Sequence, residues 1–140
     1  MTDKNRVVLS EIVQISRQYQ RSIRIDADIG RADALAGYIC HSTATSVVDG
    51  MCKQLIGTNQ RCFTWTGPFG GGKSSLAVAL ASAVHPDKAL RAKARQALRL
   101  DANPAFDKAF PVHRGWLIVP AVGRRGSVVA TLYAALRRAQ

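Results

Sequence analysis

The sequence predicts an α/β domain: a parallel sheet between helices in a three-layer α/β/α arrangement, built from βαβ units. Three observations predict it. Residues 63–66 alternate aromatic and polar positions, as a strand does. A glycine-rich turn then leads directly into a segment with helical spacing. Further on, Gly115-Trp116-Leu117-Ile118-Val119-Pro120 is an unbroken apolar run, as in a parallel strand buried on both faces. Strand, turn, helix, helix, strand and helix in that order imply a right-handed crossover unit.

The turn carries the strongest chemical signal. Gly67-Pro68-Phe69-Gly70-Gly71-Gly72-Lys73-Ser74 reads G-x-x-x-x-G-K-S, the pattern of a phosphate-binding loop. A triphosphate is dense in charge and acceptor oxygens, and backbone N–H groups must turn inward to cradle it. Gly70, Gly71 and Gly72 allow that bend and close approach. The helix that starts near Lys73 adds its positive end. Lys73 is the candidate catalytic cation for the β- and γ-phosphates, the Ser74 hydroxyl a candidate ligand for Mg²⁺, and Ser75 a candidate contact to the α-phosphate. Gly67, Pro68 and Phe69 complete the candidate nucleotide-binding set. The bland reading of the same residues is a glycine-rich turn before an amphipathic helix.

The elements around the loop follow from periodicity and punctuation. Val8, Ile12, Ile15 and Tyr19 mark one face of a helix over residues 6–20. Ser22-Ile23-Arg24-Ile25-Asp26 alternates like a short edge strand, and residues 1–30 are expected to stand apart from a main unit over 31–140. Residues 31–57 read as helix in one or two pieces. They carry a stripe of Val47, Val48, Met51, Cys52, Leu55 and Ile56, a cap at Ser42 or Thr43, and an end at Gly57. This helix is placed to flank a nucleotide base. After the loop, Leu76, Ala77, Leu80, Ala81 and Val84 recur at helical spacing, and Pro86 stops that helix at about His85.

A second helix over 87–100 puts Lys88, Arg91, Arg95 and Arg99 on one face, and Leu90, Ala94, Ala97 and Leu98 on another. A loop from Asn103 to about Arg114 follows, anchored by Phe106 and Phe110. Ser127 then caps a final helix with Val128, Val129, Leu132, Tyr133 and Leu136 on one stripe.

Charge is uneven. The chain of 140 residues has a formal charge of +11. Residues 1–87 carry +2 and residues 88–140 carry +9. A basic half suits an acidic partner such as nucleic acid, or an ordinary solvated surface. No 18-residue apolar run occurs, so no membrane span is expected. The N-terminus lacks the pattern of a signal peptide, which points to the cytoplasm. Cys40, Cys52 and Cys62 show no C-x-x-C spacing, and with His41 they make a poor zinc set.

The segment from Phe63 to Ala81 resembles the P-loop NTPase superfamily. More narrowly, Thr64 to Leu76 looks like the AAA-type ATP-binding proteins of large bacterial multidomain ATPases, some of them from anti-phage defence systems. The resemblance implies ATP and Mg²⁺ as ligands. It also implies an acidic strand that helps hold the metal, a sensor residue and often an arginine finger. The acidic strand cannot be placed, because no Asp or Glu follows Asp107. Asp26 is its nearest mimic, and Asp49 lies on a helix pattern. Arg124 and Arg125 could act on a neighbouring subunit or form a solvated turn. The expectation is an incomplete P-loop domain, the N-terminal part of a larger NTPase or a shortened relative.

Two other readings stay open. Trp116 to Pro120, a turn and a helix ending Leu136-Arg137-Arg138 also look like the first lobe of RecA-like helicases, with nucleic acid as partner. The third reading is a nucleotide-binding assembly module without turnover, joined to other subunits or to the remainder of a larger protein.

Overall fold

The helix after the glycine-rich turn is small or apolar all round, from Leu76 through Val78, Ala79 and Ser82 to Ala83, and these five side chains are buried. A helix without a polar face is stable only when other elements surround it. The computed structural model, which describes residues 22–123 and 125–139 together with Val8, Ile12 and Val13, places it centrally. The helix expected over residues 6–20 lies almost wholly outside the described residues.

Six helices occur among the described residues: α1 (Ile25–Asp28), α2 (Ser42–Gly57), α3 (Lys73–Ala83), α4 (Lys88–Ala97), α5 (Pro104–Ala109) and α6 (Val128–Ala139). A 3₁₀ turn covers Asp33–Leu35. The central helix α3 packs against α4 and α1, while α2 packs against α5. The 3₁₀ turn leans on both α3 and α4. One apolar cluster joins them, with Leu35, Val48, Cys52, Ala79, Leu90, Leu98 and Phe106 among its members.

The expected α/β sheet is not there: the described residues contain no β-strand. Residues 63–66 keep the predicted in-and-out alternation, with Phe63 and Trp65 half-buried and Thr64 and Thr66 exposed. They pair with no neighbour among the described residues. Residues 115–120 are not buried on both faces either, and Leu117 is 69% exposed. Local contacts hold this segment instead. The Trp116 N–H donates to the Val84 carbonyl at 2.9 Å. The Trp116 indole donates to the Pro111 carbonyl at 3.0 Å, and its ring lies 5.6 Å from that of Phe110. Strand propensity expresses packing against a paired neighbour, and without one an apolar run settles on what is close.

The expected edge strand at 22–26 is also replaced. The Asp28 carboxylate accepts the Arg24 N–H at 2.7 Å, and the Asp28 N–H donates to the Arg24 carbonyl at 2.8 Å. This reciprocal turn closes α1. A side chain that can satisfy nearby backbone groups competes with strand pairing, and here it wins.

Helix ends follow residue chemistry. Asp87 caps α4 by accepting the N–H groups of Ala89 and Leu90 at 2.8 and 3.0 Å. Asn103 caps α5 through the Phe106 N–H, with Pro104 in the first turn. This turn replaces the first part of the loop expected from Asn103, and Phe106 and Phe110 are buried anchors as expected. Residue His41, not Ser42 or Thr43, stands at the N-cap of α2 and makes no side-chain cap.

Candidate functional site

The glycine-rich turn delivers the chain into α3. Gly67, Gly70 and Gly72 have φ of +154°, +76° and +74°. A side chain is strained at such values, so the sequence places glycine where the turn requires it. Gly71 has an ordinary φ but little room: a Cβ there would lie 3.2 Å from the Pro68 carbonyl oxygen.

Gly72 is the N-cap of α3 and offers no side-chain acceptor. The first N–H groups of the helix, those of Lys73, Ser74 and Ser75, have no partner among the described residues. Unsatisfied donors at a helix N-terminus attract an anion, and the helix dipole has the matching sign. The Lys73 ammonium folds back over the turn and donates to the carbonyls of Gly67 at 2.9 Å and Pro68 at 2.7 Å. Lys73, Ser74 and Ser75 are half-buried, whereas the Phe69 side chain is fully exposed.

Beside the turn lies a cleft of about 1300 Å³. Gly70, Gly71, Gly72 and Lys73 line one end of it, and Tyr38, Ile39, His41 and Val47 line another part. Burial pushes the Tyr38 hydroxyl up to about 12, so it remains a protonated donor. Asp33 is the one carboxylate on the described lining, and both its oxygens accept from Arg31, at 3.0 and 2.6 Å.

The candidate metal site fits only in part. Ser74 offers one oxygen, and no group of three or more His, Cys, Asp or Glu gathers anywhere among the described residues. Asp26 lies beside His85 and Pro86, past the C-terminal end of α3, while Ser74 is at its N-terminal end. Its carboxylate pairs with Arg24 at 2.8 Å. Asp49 sits on α2 and is half-buried. Cys40 and Cys52 are buried, while Cys62 is exposed and so is His41.

Two of the four cations on the expected basic face of α4 are committed inside the molecule, while Lys88 and Arg99 are exposed. Arg91 donates to the carbonyls of His85 and Pro86 at 2.6 and 3.3 Å. Arg95 pairs with Asp107 at 2.7 Å and lies 5.3 Å over the Phe106 ring. Lys93 donates to the Ala32 carbonyl at 3.1 Å. These cations tie α4 to its surroundings, a role that charge counting could not separate from a nucleic-acid surface. Arg125 is exposed, and Arg124 lies outside the described residues. No helix among the described residues is long and apolar enough to cross a membrane.

The part of the site that sequence reading missed is the Arg31–Asp33 pair and the Tyr38–Ile39 wall. An Arg-x-Asp spacing and two apolar residues after Gly37 were visible, but nothing in their order tied them to a turn thirty residues on. No family model, curated protein or solved structure matches this chain.

Proposed function

We propose that this chain binds ATP through the turn from Gly67 to Ser75, as the ATP-binding segment of an AAA-like ATPase. What supports the reading is the unpartnered row of N–H groups at Lys73, Ser74 and Ser75, presented by left-handed glycines and flanked by the Lys73 ammonium. Three unpartnered donors and a cation suit phosphate oxygens, and a neutral ligand would leave the charge unanswered.

Magnesium, where bound, supplies charge neutralisation between the phosphates, and Ser74 is the side chain that would hold it. Its remaining ligands would be phosphate oxygens and water, as is usual for this ion. Among the described residues, the one carboxylate on the adjoining cleft, Asp33, is engaged by Arg31, so the reading is binding, without turnover assigned to this chain. Arg91 and Arg95 are engaged in internal contacts and so add little to a nucleic-acid reading. Calorimetric titration of Mg²⁺-ATP into the chain and into Lys73→Ala tests the proposal. Micromolar binding lost in the variant is the expected result, and equal affinity for both proteins would refute it.

A further inference from the structure

The apolar stripe of α6 faces away from the rest of the described residues. Val128, Val129, Leu132, Tyr133 and Leu136 are between 49% and 76% exposed. The opposite face seats the helix: Ala135 is buried, and Thr131 and Ala134 are half-buried. At about 100° per residue, the stripe spans roughly 140° of the helix surface. That is wider than the seam of a coiled coil. Contiguous apolar surface of this kind marks a place where a partner is met.

Charge narrows the choice of partner. From residue 108 to residue 140 the chain carries six Lys or Arg and no Asp or Glu. The Arg137 guanidinium lies 5.8 Å from the centre of the Tyr133 ring, so a cation borders the stripe itself. Arg125 is exposed in the turn before the helix. A nucleic acid would answer these cations and leave the stripe in water. A second copy would cover the stripe and bring another charge of +11 beside the first. An anionic lipid surface answers both. Its acyl boundary takes the aliphatic side chains, its headgroups take the arginines, and a tyrosine suits the zone between them.

We propose that α6 is an interfacial anchor that lays the stripe from Val128 to Leu136 onto an anionic bilayer surface. The helix lies in the plane of that surface, since its twelve residues are too few to cross a bilayer. The proposal is independent of the nucleotide reading.

Co-sedimentation of the full chain with vesicles tests it, comparing equal parts of phosphatidylserine and phosphatidylcholine with phosphatidylcholine alone. The test variant combines Val129→Gln with Leu132→Gln and leaves the net charge unchanged. Both side chains are exposed, so the fold should survive, which a thermal melt verifies. Ala130→Gln, exposed but off the stripe, is the control. The chain is expected to bind the anionic vesicles at least about tenfold more tightly than the neutral ones, and more weakly as salt rises. The paired variant is expected to lose about tenfold or more, and the control nothing. Binding that the paired variant retains in full belongs to net charge alone and overturns the anchor. Absence of binding to anionic vesicles overturns it as well, and equal binding to neutral vesicles overturns the choice of an anionic surface. A dimer that the paired variant dissociates, with no vesicle binding, assigns the stripe to a second copy instead.

Discussion

The Nζ of Lys73 lies 2.7 Å from the carbonyl oxygen of Pro68, so the cation at the head of α3 is held by its own turn. Two backbone oxygens serve it, and the N–H groups of Lys73, Ser74 and Ser75 have no partner among the described residues. The turn therefore presents donors outward and keeps its acceptors for the lysine. A phosphate group would meet those donors without displacing any internal hydrogen bond of the helix.

Gly115 meets Pro86 at close range. Its φ is +93°, and a Cβ would fall within 2.5 Å of the Pro86 nitrogen. The adjacent Trp116 N–H bonds Val84, so the segment cannot easily retreat. Gly115→Ala is expected to destabilise the protein by about 3 kcal/mol or more, from backbone strain plus overlap. Urea unfolding measures it, and a loss below about 1 kcal/mol would mean that the two segments are not so close.

Arg99 predicts a change of opposite sign. It sits at φ +59° just past the end of α4, where the Leu100 N–H bonds the Arg95 carbonyl and the Arg99 N–H bonds that of Gln96. This is the helix-ending motif that glycine normally fills. Arg99→Gly is expected to stabilise the fold by roughly 0.5–1 kcal/mol, with the left-handed strain outweighing the added chain entropy. A lower melting temperature would count against that geometry.

Ser82 is fully buried on α3, and its hydroxyl has no hydrogen-bond partner among the described residues. Burying an unpaired hydroxyl costs about 1–3 kcal/mol. Ser82→Ala keeps the helix and removes the hydroxyl, so it is expected to raise stability by about 1 kcal/mol. Destabilisation on chemical unfolding would mean that the hydroxyl is satisfied.

Asp87 links stability to pH. The N–H of Leu90, then that of Ala89, hold its carboxyl below the usual carboxylate range. A folded-state value below the unfolded one gives stability that is present above about pH 4 and lost as pH falls further. Asp26 and Asp33, lowered by hydrogen bonds from Arg24 and Arg31, add to the same acid limb. Asp87→Asn keeps an acceptor but does not titrate there. Its unfolding midpoint should fall less steeply between about pH 5 and pH 2 than that of the parent, and parallel curves would remove Asp87 from the account.

Local chemistry was legible in the sequence, and pairing between distant segments was not. The start of α3 at Lys73 and the stripe on α2 followed from spacing and glycine punctuation. So did the Ser127 oxygen at the start of α6, which accepts the Ala130 N–H at 3.3 Å. Asn103-Pro104 is a cap followed by a first-turn proline, a helix start where the loop composition around it suggests none. Strands at 63–66 and 115–120 were misjudged because strand identity belongs to a pair of segments, and one segment's composition carries only half of it. The stripe on α6 was found but faces outward: Val129 is 76% exposed, while Ala135 is the buried contact. Periodicity locates an apolar face without saying what lies against it. At the site, the turn and its lysine were read from one contiguous motif. The Tyr38–Ile39 wall depends on folding residues 31–47 back toward it, which no local pattern reports.

The most direct measurement is calorimetric titration of Mg²⁺-ATP into the folded chain and into Lys73→Ala. The lysine makes two hydrogen bonds to exposed carbonyls, so its loss should cost the free protein no more than about 1 kcal/mol, and both proteins should melt cooperatively. The account predicts micromolar ATP binding by the parent and none by the variant. Equal binding by two folded proteins, or no binding by the folded parent, would contradict it.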